Sequence, residues 1–306
     1  MPHKQASIAS LGTLALLVLL GGCTTSPLAK NTAAFSSATN LVVDSSENAY
    51  RAAVRLHNQE QIAAATARYD TTPNWDPHNL GLKPLIDEQG LEARSQVLEG
   101  LKLYAQTLSD LTNHINSEKL DAATVAVGNN LKSLSGNIAN ATGSGFKLSQ
   151  AQANITCTAL DALATFLVSR KVSSGVPGVI KSMDPHIETI TQLLIDDIVI
   201  LRRQAHNDYE QMLTQQDSFI RHAQGLSPVE RRAEINRLPE IVQRQQATDD
   251  MLADLQSTLS KLALAHHALA AAAENKNPEA FRSRLADLEA ASRHLYQYYS
   301  SLPPAS

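Results

Sequence analysis

Leu252-Ala-Asp-Leu255-Gln-Ser-Thr-Leu259-Ser-Lys-Leu262-Ala-Leu-Ala-His266-His-Ala-Leu269 steps from one seam residue to the next by alternate threes and fours. That is a heptad seam, the pattern by which one helix buries a narrow stripe against another. Leu238, Ile241, Gln245 and Thr248 extend it upstream and Ala273 downstream. Pro239 interrupts only its start, and Ser227-Pro-Val-Glu230 reads as a capping box with proline in the first turn.

The same periodicity recurs in both directions. Towards the amino terminus, a helix ending near Gly225 carries Ile187, Ile190, Leu194, Ile198, Leu201, Ala205, Met212 and Phe219 on one face. Asp184 followed by Pro185 predicts its start. Further helices are expected at 149–171, 117–141, 91–116 and 40–69, with Tyr50, Val54 and Leu56 of the last facing a core. Residues 70–84, with three prolines and Trp75, read as a loop, and Gly143-Ser-Gly145 and residues 173–178 as breaks. Beyond the seam, Asn277-Pro278-Glu279 starts a last helix with Phe281, Leu285, Leu288 and Leu295 inward. No segment alternates with period two. The expected fold is therefore all-α, an elongated antiparallel helical bundle with long coiled-coil-like helices, spanning 40–302 as one domain or as sub-bundles at 40–172 and 179–302.

The amino terminus carries a different kind of signal. Met1-Pro-His-Lys4 is short and basic, and Leu11–Leu20 is an apolar run of signal-peptide length, shorter than the ~20 residues a spanning helix requires. The next residues, Leu20-Gly21-Gly22-Cys23, resemble the lipobox of bacterial lipoproteins. The resemblance implies removal of residues 1–22, diacylglycerol on the Cys23 sulfur and a fatty acyl group such as palmitate on its new amino terminus. Several chains, at about 0.8 kcal/mol per buried methylene, make such attachment effectively permanent. Thr24 stands where an aspartate would resemble an inner-membrane retention signal. In a host with two membranes the implied address is the outer membrane, facing the periplasm; otherwise it is the outer leaflet of the cell membrane. Residues 23–39, small and polar, read as lipidated cysteine plus flexible tether.

Composition narrows the function classes. Aromatic residues make up 4% and charged residues 18% of the 306, a palette for packed helices. The net charge of −4 is spread without long runs, and Arg202-Arg203 and Arg231-Arg232 sit among acids, which disfavours nucleic acid as a partner. Cys157 is the sole cysteine besides Cys23, so an internal disulfide is excluded once lipid occupies Cys23.

Motifs that could carry chemistry are weak. Ser144-Gly-Phe-Lys147 matches S-x-x-K without the accompanying K-T-G. Asp196-Asp197 are neighbours that diverge by about 100° on a helix, so one should be solvated and the other paired at the edge of the core. Asp110, His114 and Glu118 share a face, as do His206 and Glu210, but the paired E-x-x-H pattern of diiron bundles is missing. His266, beside His267, reads with Gln245 and Thr248 as a polar residue fixing register. Cys157 reads as buried and inert, and Trp75 with Tyr69 as loop packing. No catalytic, cofactor or metal residues are assigned.

These readings favour a lipid-anchored, non-catalytic envelope protein, a scaffold or adaptor for a protein partner or for self-association. The alternatives are a ligand- or metal-binding bundle and an α-helical pore component built on Ile155–Ile180, against which Asp161, Arg170 and Lys171 argue. Ile195 and Val199, apolar but turned off the buried stripe, are the candidate interface.

Overall fold

The computed structural model describes residues 26–71, 84–113, 118–140, 149–169, 175–274 and 278–301. They form α1 (Pro27–Thr71), α2 (Glu88–Asn113), α3 (Glu118–Asn140), α4 (Gln150–Ser169), α5 (Gly175–His222), α6 (Pro228–Ala273) and α7 (Pro278–Ser301), with no strand among the described residues. The chain is all-α. At 1.5 Å per residue, α5 and α6 each reach roughly 70 Å.

The heptad seam packs as the spacing predicts. Leu252, Leu255, Leu259, Leu262, His266 and Leu269 are all buried. α5 and α6 form an antiparallel hairpin around Gly225, whose φ of 87° is left-handed. The Ser227 side chain accepts from the Glu230 amide, and the Glu230 carboxylate accepts from the Ser227 amide, completing the capping box. Arg231 reaches back from α6 to the Ile220 carbonyl and stitches the turn.

α1 runs parallel to α5 along this hairpin, since Tyr50 meets Asp197, His57 meets Asp208 and Gln215 meets Glu60. α2 lies antiparallel to α1, α3 and α4 pair beside them, and α7 returns along α6 to pack on α1. One buried cluster runs from Phe35 to Tyr299, and α1 packs against α2, α5, α6 and α7. Described residues of all seven helices contribute to that cluster.

Two boundaries differ from the sequence reading. The expected tether at 23–39 is helical from Pro27, with Thr32, Phe35, Ala38 and Thr39 buried. The Ser26 hydroxyl caps the Ala29 amide. Thr32, Thr39 and Ser46 return their hydroxyls to the carbonyls of Leu28, Phe35 and Val42, so polar residues are buried without losing hydrogen bonds. The expected start at Asp184-Pro185 is also too late. α5 begins at Gly175 (φ 74°) with Pro177 in its first turn, where a missing amide costs nothing. Pro185 lies inside the helix, and the Asp184 side chain is turned to other partners, described below.

Gly128 has a packing reason. A Cβ there would stand 2.7 Å from Val168 Cγ2 and 3.1 Å from the Ala164 carbonyl, so α3 meets α4 at closer range than any other residue allows. α4 is the one described helix apolar and long enough to cross a membrane, over Ala151–Ser169, but nearly half of that stretch is buried, against α3, α5 and α2.

Candidate functional site

Three buried polar clusters interrupt the apolar core, each joining helices far apart in sequence. In the first, the Arg94 guanidinium donates through Nε and Nη2 to both oxygens of Asp197, at 2.7 and 2.5 Å, and through Nη1 to the Gly90 carbonyl at 2.9 Å. Tyr50 donates to the same carboxylate at 2.7 Å, and its ring lies 5.6 Å beneath the guanidinium. Burial raises the Tyr50 hydroxyl well above its ordinary value, with the Asp197 charge adding to the effect. The Arg94 pKa is raised despite its burial, because Asp197 holds the charge. One cation faces one anion, a balanced pair.

In the second, Asp184 of α5 accepts from two adjacent histidines of α6, His266 Nδ1 at 2.8 Å and His267 Nδ1 at 2.6 Å. His266 Nε2 stands 2.8 Å from the Tyr104 hydroxyl, and Phe35 packs edge-on to the imidazole. Burial lowers the His266 pKa against the pull of Asp184. Asp184 in turn lies below its usual range, because the two histidine hydrogen bonds outweigh burial.

The third cluster comprises His57 and Glu60 of α1 and Asp208 of α5. A separation of three places His57 and Glu60 on one helix face. His57 Nδ1 lies 3.1 and 3.0 Å from the two Asp208 oxygens, and the donor atoms of all three residues lie within 4.8 Å of one another. Both carboxylates are only 1% exposed. Asp208 also accepts from Gln204, and Glu60 from Gln61 and Gln215. Burial raises the Asp208 pKa, the hydrogen bonds from Gln204 and His57 oppose it, and the Glu60 charge adds to it.

No family model, curated protein or solved structure matches the chain.

Beside the third cluster, where α7 ends at Tyr298 and Tyr299, a cavity of about 440 Å³ opens between α1, α5, α6 and α7. Ala49, Ala53, Leu56, Met251 and Leu252 make its apolar wall, and Arg55, Arg244 and Tyr209 add polar groups.

The residues singled out in the sequence fare differently. Asp197 is buried and paired, while Asp196 is half-buried and accepts from Gln192; the pair divides as expected, with Asp197 deeper than the core's edge. His206 and Glu210 are both engaged by the Gln245 amide. Thr248 meets the Tyr209 hydroxyl. Cys157 is half-buried rather than buried, and it exchanges hydrogen bonds with Ser135 across α3 and α4. Ile195 is half-buried against the core cluster, whereas Val199 is exposed. Cys23, Trp75, His114, Ser144 and Lys147 lie outside the described residues, as do the side chains of Tyr69 and Glu118. His57, Glu60, Asp208, Arg94 and Tyr104 were not found as site residues. The sequence held one local signal for them, the His57-x-x-Glu60 spacing, since their partners lie 103 to 162 positions away.

Proposed function

We propose that this chain is a lipid-anchored, non-catalytic envelope protein whose bundle presents a helical arm to a protein partner. The observation that carries this reading is the polarity of the long helices. α1 begins at Pro27, four residues after Cys23, and a spacing of about 3.5 Å per residue brings that end within roughly 14 Å of the lipid. The amino terminus of α5 lies at the same end, because Phe35 packs on His266 and His266 bonds Asp184. The carboxyl end of α6 joins them there through the Lys181–Glu274 ion pair. The α5–α6 turn at Gly225 is consequently carried roughly 70 Å from the bilayer. Phe219, Val229, Ile235 and Val242 are exposed along that distal half, apolar surface of the kind that marks docking. With two membranes, the outer one and the periplasm are the address that Thr24 favours. A ligand-binding bundle is the second reading, supported by the cavity at Tyr299.

The test combines acyl labelling with site-specific photo-crosslinking in the native envelope. Wild-type protein should take up a palmitate analogue and sediment with membranes, Cys23→Ser should do neither, and a crosslinker at Val229 or Ile235 should capture one discrete partner that a crosslinker at Val125 does not. Label retained on Cys23→Ser overturns the anchor, and an arm without discrete adducts overturns the adaptor role.

A further inference from the structure

The His57, Glu60 and Asp208 cluster has an uncompensated charge. Two carboxylates, each 1% exposed, face one imidazole, and the other groups they bond are the neutral amides of Gln61, Gln204 and Gln215. Among the described residues no arginine or lysine makes an ion pair with either carboxylate. About three turns earlier on α5 stands a balanced site for comparison, where the Asp197 charge is met by Arg94 of α2. Buried carboxylates without a countercharge are costly, and proteins place cations on them or protonate them.

Geometry and donor type fit a cation. Ligands at about 2.1 Å from a metal stand about 3.0 Å apart along an octahedral edge and about 3.4 Å apart along a tetrahedral one. His57 Nδ1 and the Asp208 oxygens are 3.0 to 3.1 Å apart, and Glu60 completes a set within 4.8 Å. Gln215 donates its Nε2 to Glu60 while its Oε1 is buried without a hydrogen-bond partner among the described residues, an amide oxygen placed beside the cluster. The amide donors from Gln204, Gln61 and Gln215 orient the carboxylates, as outer partners do around bound metals.

We propose that His57, Glu60 and Asp208 bind one divalent first-row transition cation between α1 and α5. A neutral imidazole with two carboxylates and M²⁺ closes the formal charge to zero. One nitrogen and two oxygens form a mixed set that suits Zn²⁺, Co²⁺ or Mn²⁺ better than the all-oxygen shells of Ca²⁺. The ion would pin α1 to α5 at the root of the distal arm, and so brace it. This site stands apart from the adaptor reading: anchoring and partner capture are measured in the envelope, cation binding on the purified protein.

The experiment strips the purified, untagged full chain with chelator and titrates it with Zn²⁺ alone and Co²⁺ alone, following heat of binding, the visible Co²⁺ spectrum and the thermal midpoint. Wild type should bind one ion per chain, with a Co²⁺ band reporting nitrogen and oxygen ligation and a rise in midpoint at saturation. Glu60→Gln and Asp208→Asn are near-isosteric and remove one negative charge each. Both should remain helical by circular dichroism, melt no lower than wild type when metal-free, and lose affinity at least tenfold. His57→Gln should abolish the nitrogen-dependent part of the Co²⁺ spectrum. Absence of saturable one-to-one binding in wild type, or equal affinity in Glu60→Gln and Asp208→Asn, overturns the site and leaves a hydrogen-bonded polar core.

Discussion

His266 Nδ1 lies 2.8 Å from an Asp184 oxygen, 82 positions away in sequence, which joins the last quarter of α6 to the third turn of α5. The imidazole is fully buried while the carboxylate is partly exposed, so the polar bond crosses from the core to its rim. On its other side the ring meets the Tyr104 hydroxyl. A seam otherwise built from leucines accepts this one register, because a slip of one turn would strand three polar groups.

The buried imidazole should make stability pH-dependent. The folded-state pKa of His266 is lowered by burial, so its contribution is fully present above the unfolded value near 6.5 and is lost as pH falls through the folded value. Asp184, also lowered, adds a contribution that fades only in more acidic solution. Wild type should lose stability from pH 6.5 downwards, with a slope of at most about 1.4 kcal/mol per pH unit from this residue. His266→Gln keeps a donor and an acceptor but cannot titrate. Urea midpoints at pH 7 and pH 5 should therefore differ less in the variant than in wild type; parallel losses would place the acid sensitivity elsewhere.

Asp197 and Arg94 test a different consequence of burial. Removing either partner leaves the other charged and dry, which costs about 3–5 kcal/mol. Arg94→Met and Asp197→Leu should each lower the urea midpoint by that order, and the double variant should recover most of the loss, since both charges leave together. A double variant as unstable as the sum of the singles would show that the pair is valued for packing, including that of the Tyr50 ring, more than for charge.

Gly128 and Gly136 stand eight residues apart on α3 and should respond oppositely to alanine. At Gly128 the new Cβ meets Val168 and the Ala164 backbone, and such overpacking costs about 1–3 kcal/mol. At Gly136 no atom of the described residues, its own helix turn aside, lies within 4 Å of the added Cβ, so alanine should stabilise by about 1 kcal/mol through helix propensity. Thermal midpoints of the two single variants decide it.

The contrast between these glycines also shows how far a sequence carries. Both lie in a helical pattern, and both lower intrinsic helicity; only the neighbour 36 to 40 positions later distinguishes them. The seam from Leu252 to Leu269 was legible because its apolar period is local. The buried turns around Thr32 and Thr39 were not, since small polar residues that bond the preceding turn carry no apolar period and resemble a linker. His57 with Glu60 was half legible, as one face of one helix. Asp208 joins them through a register between α1 and α5 that is set by the packing of the whole core.

Ile195 and Val199, four residues apart on α5, were paired in the sequence by their shared direction, and burial now separates them. Ile195 is half-buried and packs against the core cluster, whereas Val199 is 39% exposed, with Ile200 beside it at 44%. A carboxylate at position 195 loses apolar contacts and sits against apolar neighbours, which costs about 1–3 kcal/mol. At 199 the carboxylate stays hydrated and the change should lie within about 0.5 kcal/mol. Ile195→Asp should therefore lower the urea midpoint clearly, and Val199→Asp should leave it in place. If Val199 also lies in an interface, Val199→Asp should fold as wild type does while self-association or crosslinked partner is lost, a combination that a surface residue without a partner does not produce. Sedimentation of the two variants beside wild type separates the outcomes: a folded, unchanged oligomeric state and undiminished partner capture for Val199→Asp would remove this face from the interface and leave the distal arm as its place.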